Sequence, residues 1–142
     1  MGISGHKEKR FLIKIGSEPH HFIYKPDTPV IQKFNIFTQI NAAQGNVLLS
    51  MKIGAVLERQ KGRDYYDCIY LMGKTEPNWE YLALKFNIRS ATELKKNLLE
   101  SCEKVDFSLK AEEFGKLIFD QAELKKVRLF REYIKQKEFK SY

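Results

Sequence analysis

Cations and carboxylates are concentrated in one short stretch of the chain, from Lys52 to Asp67. Lys52 and Arg59 are seven positions apart, so on a helix of 100° per residue they lie about 20° apart, on the same side. A phosphate group fits between an ammonium and a guanidinium placed in this way. If the helix continued through Gly62, Arg63 and Asp67 would lie on that side as well, but a glycine there permits a break that changes the angles.

Two aspartates follow these cations. Asp64 and Asp67 are three positions apart on one helical turn, where the second carboxylate can orient an arginine, approach a metal or bind a ribose hydroxyl. Asp64 also has a structural explanation, because aspartate is common at a helix N-cap and an arginine–aspartate pair often only locks a turn. Spacing alone favours the structural role for Asp64, and a solvated surface charge for Lys52.

Other candidate sites are better explained without chemistry. The adjacent side chains of His20 and His21 point apart in a turn and have no third metal ligand, which indicates a surface doublet. Trp79, Tyr81 and Phe86 are able to stack on bases, but their helical spacing favours a place in the core. We therefore assign no role in binding to either group.

A run of cations near the C-terminus has two explanations, which the sequence leaves open. It follows the backbone of an RNA, or it is the solvated face of an amphipathic helix. Its members are Lys125, Lys126, Arg128, Arg131, Lys135, Lys137 and Lys140.

The elements that must position these residues are strands first and helices afterwards. Alternating apolar residues predict strands at 11–15, 22–24 and 30–41, joined by turns rich in proline and glycine. The edges of such a small sheet need to be paired or covered, and we therefore expect a missing N-terminal portion.

Six amphipathic helices are predicted after residue 45, with caps at Asn46, Asp64 and Ser90, the last in a capping box with Glu93. Pro77-Asn78 opens the third of these helices. Their predicted core stripes are Leu49, Ile53, Val56 and Leu57; Tyr65, Ile69 and Met72; Trp79, Leu82 and Phe86; Leu94, Leu98 and Cys102; Ala111, Phe114, Leu117 and Ile118; and Leu124, Val127, Phe130 and Ile134.

The fold class that follows is α+β, with short N-terminal antiparallel strands and then a bundle of about six helices. The 142 residues have the length of one domain, with a strand region at 10–41 and a helical region at 46–142. Cys68 and Cys102 have no metal-ligand spacing and are expected to be buried thiols. Without a signal peptide or long apolar run, we expect a cytoplasmic protein with no membrane partner. The net charge of +7 favours either a polyanionic partner or solubility.

One motif resembles that of a known family. Lys52 and Arg59, then Gly62-Arg63-Asp64-Tyr65-Tyr66-Asp67 and the apolar residues 69–72, resemble the third motif of the AbiEii/AbiGii toxin-type nucleotidyltransferases. That motif is written Lys-x-x-Ala-Leu-x-x-Arg-x-x-Gly-Arg-Asp-x-x-Asp-Leu. The chain differs from it mildly, with residues 54–57 in the Ala-Leu region and Cys68 in place of leucine.

Two further motifs of the family are incomplete or missing here. Residues 12–15 are similar to the second motif, but Gly16 stands where an acidic residue normally follows, and Glu18 is the nearest acidic candidate. The first motif, a Gly-Gly or Gly-Ser turn followed by the Asp-x-Asp that binds two magnesium ions in this family, does not occur in this sequence. The resemblance therefore implies the C-terminal part of a longer nucleotidyltransferase fold, and we assign no metal ligand in this chain.

The resemblance implies transfer of a nucleotide from a nucleoside triphosphate to an acceptor such as a tRNA 3′ end, with Mg²⁺, in toxin–antitoxin or phage-defence systems. It places Lys52 on the triphosphate, Asp67 or Asp64 as organisers of the site, and Arg59, Arg63 and Lys14 as substrate-binding residues. The sequence leaves open whether the chain is an incomplete enzyme, inactive alone and completed by a missing N-terminal half, or a non-catalytic module that binds RNA or an antitoxin.

Overall fold

The computed structural model of the protein describes residues 22–118 and 120–140. Within these ranges two strands precede seven α-helices, so the α+β class and the order of the elements are confirmed. The strands are β1 (Val30–Lys33) and β2 (Ile36–Gln39). The helices are α1 (Gly45–Glu58), α2 (Gly62–Met72), α3 (Trp79–Phe86), α4 (Ala91–Ser101), α5 (Phe107–Gly115), α6 (Leu124–Arg128) and α7 (Phe130–Gln136), with a 3-10 turn at Gln121–Glu123 before α6.

The predicted strand at 30–41 is a hairpin and not a single strand. β1 and β2 pair antiparallel, with Val30 opposite Gln39 and Lys33 opposite Ile36. Phe34 and Asn35, between them, both have positive φ, at 52° and 61°. This left-handed pair makes the tight turn that suits a two-residue hairpin loop. The sequence alternates straight through the turn and has no glycine there, which is why the break was missed.

The predicted strand at 22–24 is also wrong, because these residues form no strand. Phe22 is buried instead, and its ring lies edge-on against the ring of Tyr81, with 5.3 Å between the centroids. An isolated bridge between Asp27 and Ala42 holds the base of the hairpin. The predicted strand at 11–15 lies outside the described residues.

α1 and α2 form an antiparallel helical hairpin joined by a short turn. α1 ends at Glu58, and Gln60 takes a positive φ of 52° that reverses the chain before α2 begins at Gly62. Two predicted caps are wrong. Gln44 occupies the N-cap position of α1, and Asn46 lies inside the helix. Lys61 occupies that position in α2, while Asp64, three residues later, accepts a hydrogen bond from the Lys61 backbone N–H.

The start of α3 and the cap of α4 were predicted correctly. The side chain of Asn78 accepts the backbone N–H of Tyr81, and the hydroxyl of Ser90 accepts that of Glu93. The carboxylate of Glu93 in turn accepts the backbone N–H of Arg89. The reciprocal arrangement satisfies amide groups that the first turn of a helix leaves without an acceptor.

Two predictions for the C-terminal helices need correction. α5 ends at Gly115, so Leu117 lies beyond the helix and its side chain is exposed. The last predicted helix is two helices, α6 and α7, interrupted at Leu129. Its predicted stripe nevertheless packs in the core, where Leu124, Val127, Phe130 and Ile134 are all buried.

The core lies between α1, α2 and the C-terminal helices. Tyr65 is fully buried at its centre, with its ring 5.1 Å from that of Phe107 and 4.9 Å from that of Phe130. Cys68 and Cys102 are free, buried thiols, as predicted. Trp79, Tyr81 and Phe86 belong to the core or pack against it, also as predicted. Among the described helices, none has the length and apolar character needed to cross a membrane.

Candidate functional site

Lys52 and Asp67 face each other across the helical hairpin. The Nζ of Lys52, in the middle of α1, donates to Oδ2 of Asp67 in α2 at 2.6 Å. Both side chains are partly open to solvent, with 26% and 35% of their surface exposed. Helical spacing put these residues on one side only for a helix that continued through Gly62, and α1 ends at Glu58. They meet instead because the chain reverses at Gln60 and α2 packs back along α1. A ligand arriving from solvent can therefore reach both groups.

Arg59 and Asp64 form a second pair, nearer the turn. Nε of Arg59 donates to Oδ2 of Asp64 at 2.9 Å, and Nη2 donates to Oδ1 at 2.6 Å. Oδ2 also accepts the Lys61 backbone N–H at 3.2 Å. The Asp64 side chain is fully buried, whereas 46% of the Arg59 side chain is exposed. This bidentate pair closes the turn between α1 and α2, which is the structural role that spacing favoured for Asp64.

The environment of Asp64 keeps its carboxyl ionised. Burial alone raises the pKa of a carboxyl, because it removes water from the charged form. Here the hydrogen bonds and charge of Arg59, the Lys61 amide and the charge of Lys52 together outweigh burial and lower the pKa of Asp64 below its ordinary value of 3.8. The Asp64 carboxylate is thus bound to Arg59 and to the backbone at the start of α2.

Arg63 lies in a separate position, in a basic cleft. The cleft has a volume of about 400 Å³ and lies between the α1–α2 turn and α5. It is lined by Arg59, Lys61, Gly62, Arg63, Lys110, Glu113, Phe114 and Leu117. Arg59 and Arg63 therefore both line this cleft, while Lys52 and Asp67 do not line it.

Sequence reasoning missed two of the cations in the cleft. Lys61 lies in the turn beside the motif, so its closeness in sequence to Arg59 and Arg63 was an available signal. Lys110 belongs to α5, and no local pattern connects it to the motif. Lys14 lies outside the described residues, as do Gly16, Glu18 and the His20-His21 doublet.

The cations near the C-terminus are partly neutralised by acidic neighbours. The ammonium groups of Lys126, Lys135 and Lys137 pair with Glu123, Glu132 and Glu76 at 2.5, 2.8 and 3.1 Å. The backbone carbonyl of Lys140 accepts the indole N–H of Trp79 at 3.0 Å. The Lys137 and Lys140 contacts hold the segment after α7 against α3 and the loop before it, and the three ion pairs neutralise part of the predicted basic run.

The residues present do not fit a magnesium ion. Mg²⁺ needs carboxylate oxygens that are accessible and free to coordinate. Both oxygens of Asp64 accept from Arg59 in a buried position, and Oδ2 of Asp67 accepts from Lys52. Over residues 22–118 and 120–140, no three His, Cys, Asp or Glu side chains come together as a metal site.

Comparisons with known proteins neither add to nor contradict this description. No protein-family model, curated protein or solved structure matches the chain. The resemblance of residues 52–72 to a nucleotidyltransferase motif therefore remains a prediction.

Proposed function

We propose that the chain supplies the cationic half of a nucleotidyltransferase site of the AbiEii/AbiGii toxin type. The observation that carries the proposal is the partly exposed ion pair between Lys52 and Asp67, 2.6 Å apart. In this role Lys52 contacts the phosphates of a nucleoside triphosphate, and Asp67 orients Lys52. Arg59 and Asp64 hold the two helices in place.

The geometry of Lys52 suits this role. An ammonium group has three N–H donors, and in the described contacts only the one to Asp67 is a side-chain hydrogen bond. The Nζ can keep this bond, which fixes its direction, and donate to a phosphate oxygen with its other hydrogens. Catalysis of nucleotidyl transfer depends on positioning and on neutralising charge across the triphosphate, and a preorganised cation contributes to both.

The proposal places the metal-binding carboxylates outside the described residues. A nucleotidyltransferase of this type needs them for Mg²⁺, and both oxygens of Asp64 and one oxygen of Asp67 already accept from cations of the motif. The chain by itself is therefore expected to bind a nucleoside triphosphate without turning it over. The acceptor would be an RNA end such as that of tRNA, and the partner an antitoxin or the polypeptide that carries the missing half.

The test is to measure binding of each of the four nucleoside triphosphates by calorimetry to the wild type, Lys52→Ala and Asp67→Asn. We expect Lys52→Ala to weaken binding about tenfold or more, because it removes a charge-assisted hydrogen bond to phosphate. Asp67→Asn is expected to have a smaller effect, because the amide still accepts from Lys52. Lys96→Ala is the control, since Lys96 has an exposed, distant ion pair with Glu100 at 3.8 Å.

The exchange Lys52→Asp with Asp67→Lys separates a binding role from a structural one. It keeps an ion pair between α1 and α2 but moves the ammonium to the other helix. If the pair only joins the helices, the exchanged protein behaves as the wild type. Under the proposal it unfolds at a similar temperature but loses nucleotide binding. Should Lys52→Ala bind every triphosphate as tightly as Lys96→Ala does, the chain is better described as a non-catalytic RNA- or antitoxin-binding module.

A further inference from the structure

The basic cleft brings four cations from three parts of the chain around one space. Arg59 follows α1, Lys61 and Arg63 flank the start of α2, and Lys110 comes from α5. Glu113 is the single carboxylate among the described lining residues. The volume of about 400 Å³ falls within the range of small-molecule sites. The lining therefore has more positive than negative charge, which favours an anion as its ligand.

Two of these cations have no ion-pair partner within residues 22–118 and 120–140. Lys61 and Arg63 are exposed, and neither forms an ion pair with any carboxylate of the described residues. Lys110 has only a long contact, with its Nζ 3.3 Å from both oxygens of Glu113. The N–H donors of Lys61 and Arg63 are therefore available to a ligand. Lys126 of α6 and Lys135 of α7, in contrast, are paired with glutamates.

The backbone at the cleft also favours an anion. α2 begins at Gly62, on the cleft wall, and the first turn of a helix has amide N–H groups without an intrahelical acceptor. A Cβ on Gly62 would lie 2.1 Å from the Lys110 carbonyl oxygen. Only glycine therefore lets α2 start directly against α5, which places Lys110 beside the cations of the turn.

We propose that this cleft binds the phosphate groups of the substrate, with Lys61 and Lys110 as binding residues outside the family motif. The inference rests on the proposed function, because Arg59 lies about 10 Å along α1 from Lys52. Under this inference one ligand spans both the cleft and the Lys52–Asp67 pair. The phosphates belong to the chain of a nucleoside triphosphate or to the backbone of the RNA acceptor, which have the same chemistry.

The test compares Lys61→Gln/Arg63→Gln, Lys110→Gln and the control Lys96→Gln. Inorganic tripolyphosphate, ATP without metal, and a single-stranded RNA 12-mer are titrated against each protein. The double variant is expected to bind its ligand about tenfold more weakly or worse, and the salt dependence of binding to fall by about two ion equivalents. A loss for tripolyphosphate and ATP identifies the triphosphate as the source, and a loss for RNA alone identifies the RNA backbone.

Glu113→Gln gives a result that misfolding cannot imitate. It removes the carboxylate from the cleft and releases Lys110, so phosphate binding is expected to tighten about threefold. The inference is overturned if the cleft variants bind all three probes as the Lys96→Gln control does, or if Glu113→Gln weakens binding.

Lys52→Gln distinguishes failure of this inference from failure of the proposed function. If Lys52→Gln loses binding while the cleft variants keep it, the proposed function stands and the cleft inference is wrong. If the cleft variants lose binding while Lys52→Gln keeps it, the cleft binds phosphate and the role of Lys52 is wrong. If the wild type binds none of the probes, both are wrong.

Discussion

The same two helices are joined by two ion pairs that differ in their access to water. Asp64 is fully buried and accepts two hydrogen bonds from Arg59, whereas Lys52 and Asp67 share one bond and are both partly exposed. A buried carboxylate that loses its partner keeps the cost of desolvation, but a half-exposed one is hydrated again. The comparison separates the two roles: the pair near the turn maintains the fold, and the pair in the middle of the helices is available to a ligand.

The largest expected effect comes from removing Asp64. Asp64→Ala removes the bidentate bond to Arg59 and the acceptor of the Lys61 amide, both inside the protein. We expect a loss of about 3 kcal/mol in the free energy of unfolding, measured in urea. Asp106→Ala is the matched control, because Asp106 caps α5 from an exposed position and should cost about 1 kcal/mol. Equal losses in the two variants would contradict the structural role of the buried pair.

Tyr65 has a buried polar group, as Asp64 has, but no residue comparable to Arg59 is bonded to it among the described residues. Its hydroxyl has no hydrogen-bond partner among the described residues, and burial raises the pKa of the phenol. Tyr65→Phe removes an unsatisfied group and keeps the ring contacts with Phe107 and Phe130. We expect the free energy of unfolding to be unchanged or to rise by up to about 1 kcal/mol.

Tyr66→Phe is the control for Tyr65→Phe. The Tyr66 hydroxyl is hydrogen-bonded to Glu123, so this variant should lose up to about 1 kcal/mol. If Tyr65→Phe is the more destabilising of the two, the Tyr65 hydroxyl has a partner in solution.

The sequence predicts those features of the fold that depend on residues close together in the chain. The start of α3 and the cap of α4 were predicted because Asn78, Ser90 and Glu93 act on amides within four residues. The turn at Phe34-Asn35 was missed because the alternation of apolar residues continues through it. The break at Leu129 was missed for a similar reason, since the buried stripe continues from α6 into α7.

For the candidate site, the sequence predicted which cations share a helix face but not which aspartate pairs with each of them. Helical spacing placed Lys52 and Arg59 together, but the choice of Asp67 for one and Asp64 for the other depends on the reversal at Gln60. The positive φ of Gln60 sets the direction in which α2 packs against α1, and the periodicity of the sequence does not predict this φ. Lys110 was not predictable, because only the packing of α5 against Gly62 brings it to the cleft.

Removing Lys52 is expected to have a small effect on stability. The ion pair with Asp67 is partly exposed, and such pairs contribute about 0.5 kcal/mol to the free energy of unfolding. Lys52→Ala should therefore unfold in nearly the same urea concentration as the wild type while losing nucleotide binding. A loss near that of Asp64→Ala would remove the distinction between the two pairs and assign Lys52 to the fold.

The last prediction concerns the charge of Asp64, which makes the stability of the protein depend on acid pH. Because the folded pKa of Asp64 lies below 3.8, its ionised form stabilises the fold above that pH, and this stabilisation is lost as the pH falls through the folded pKa. In Asp64→Asn the side chain does not titrate, so this variant has no such stabilisation to lose. The difference in unfolding free energy between wild type and Asp64→Asn, measured in urea, should therefore be constant from pH 7 to pH 5 and shrink below about pH 4. A difference that stays the same down to pH 2 would mean that the carboxylate charge does not hold Arg59, and that the shape of the side chain alone closes the turn.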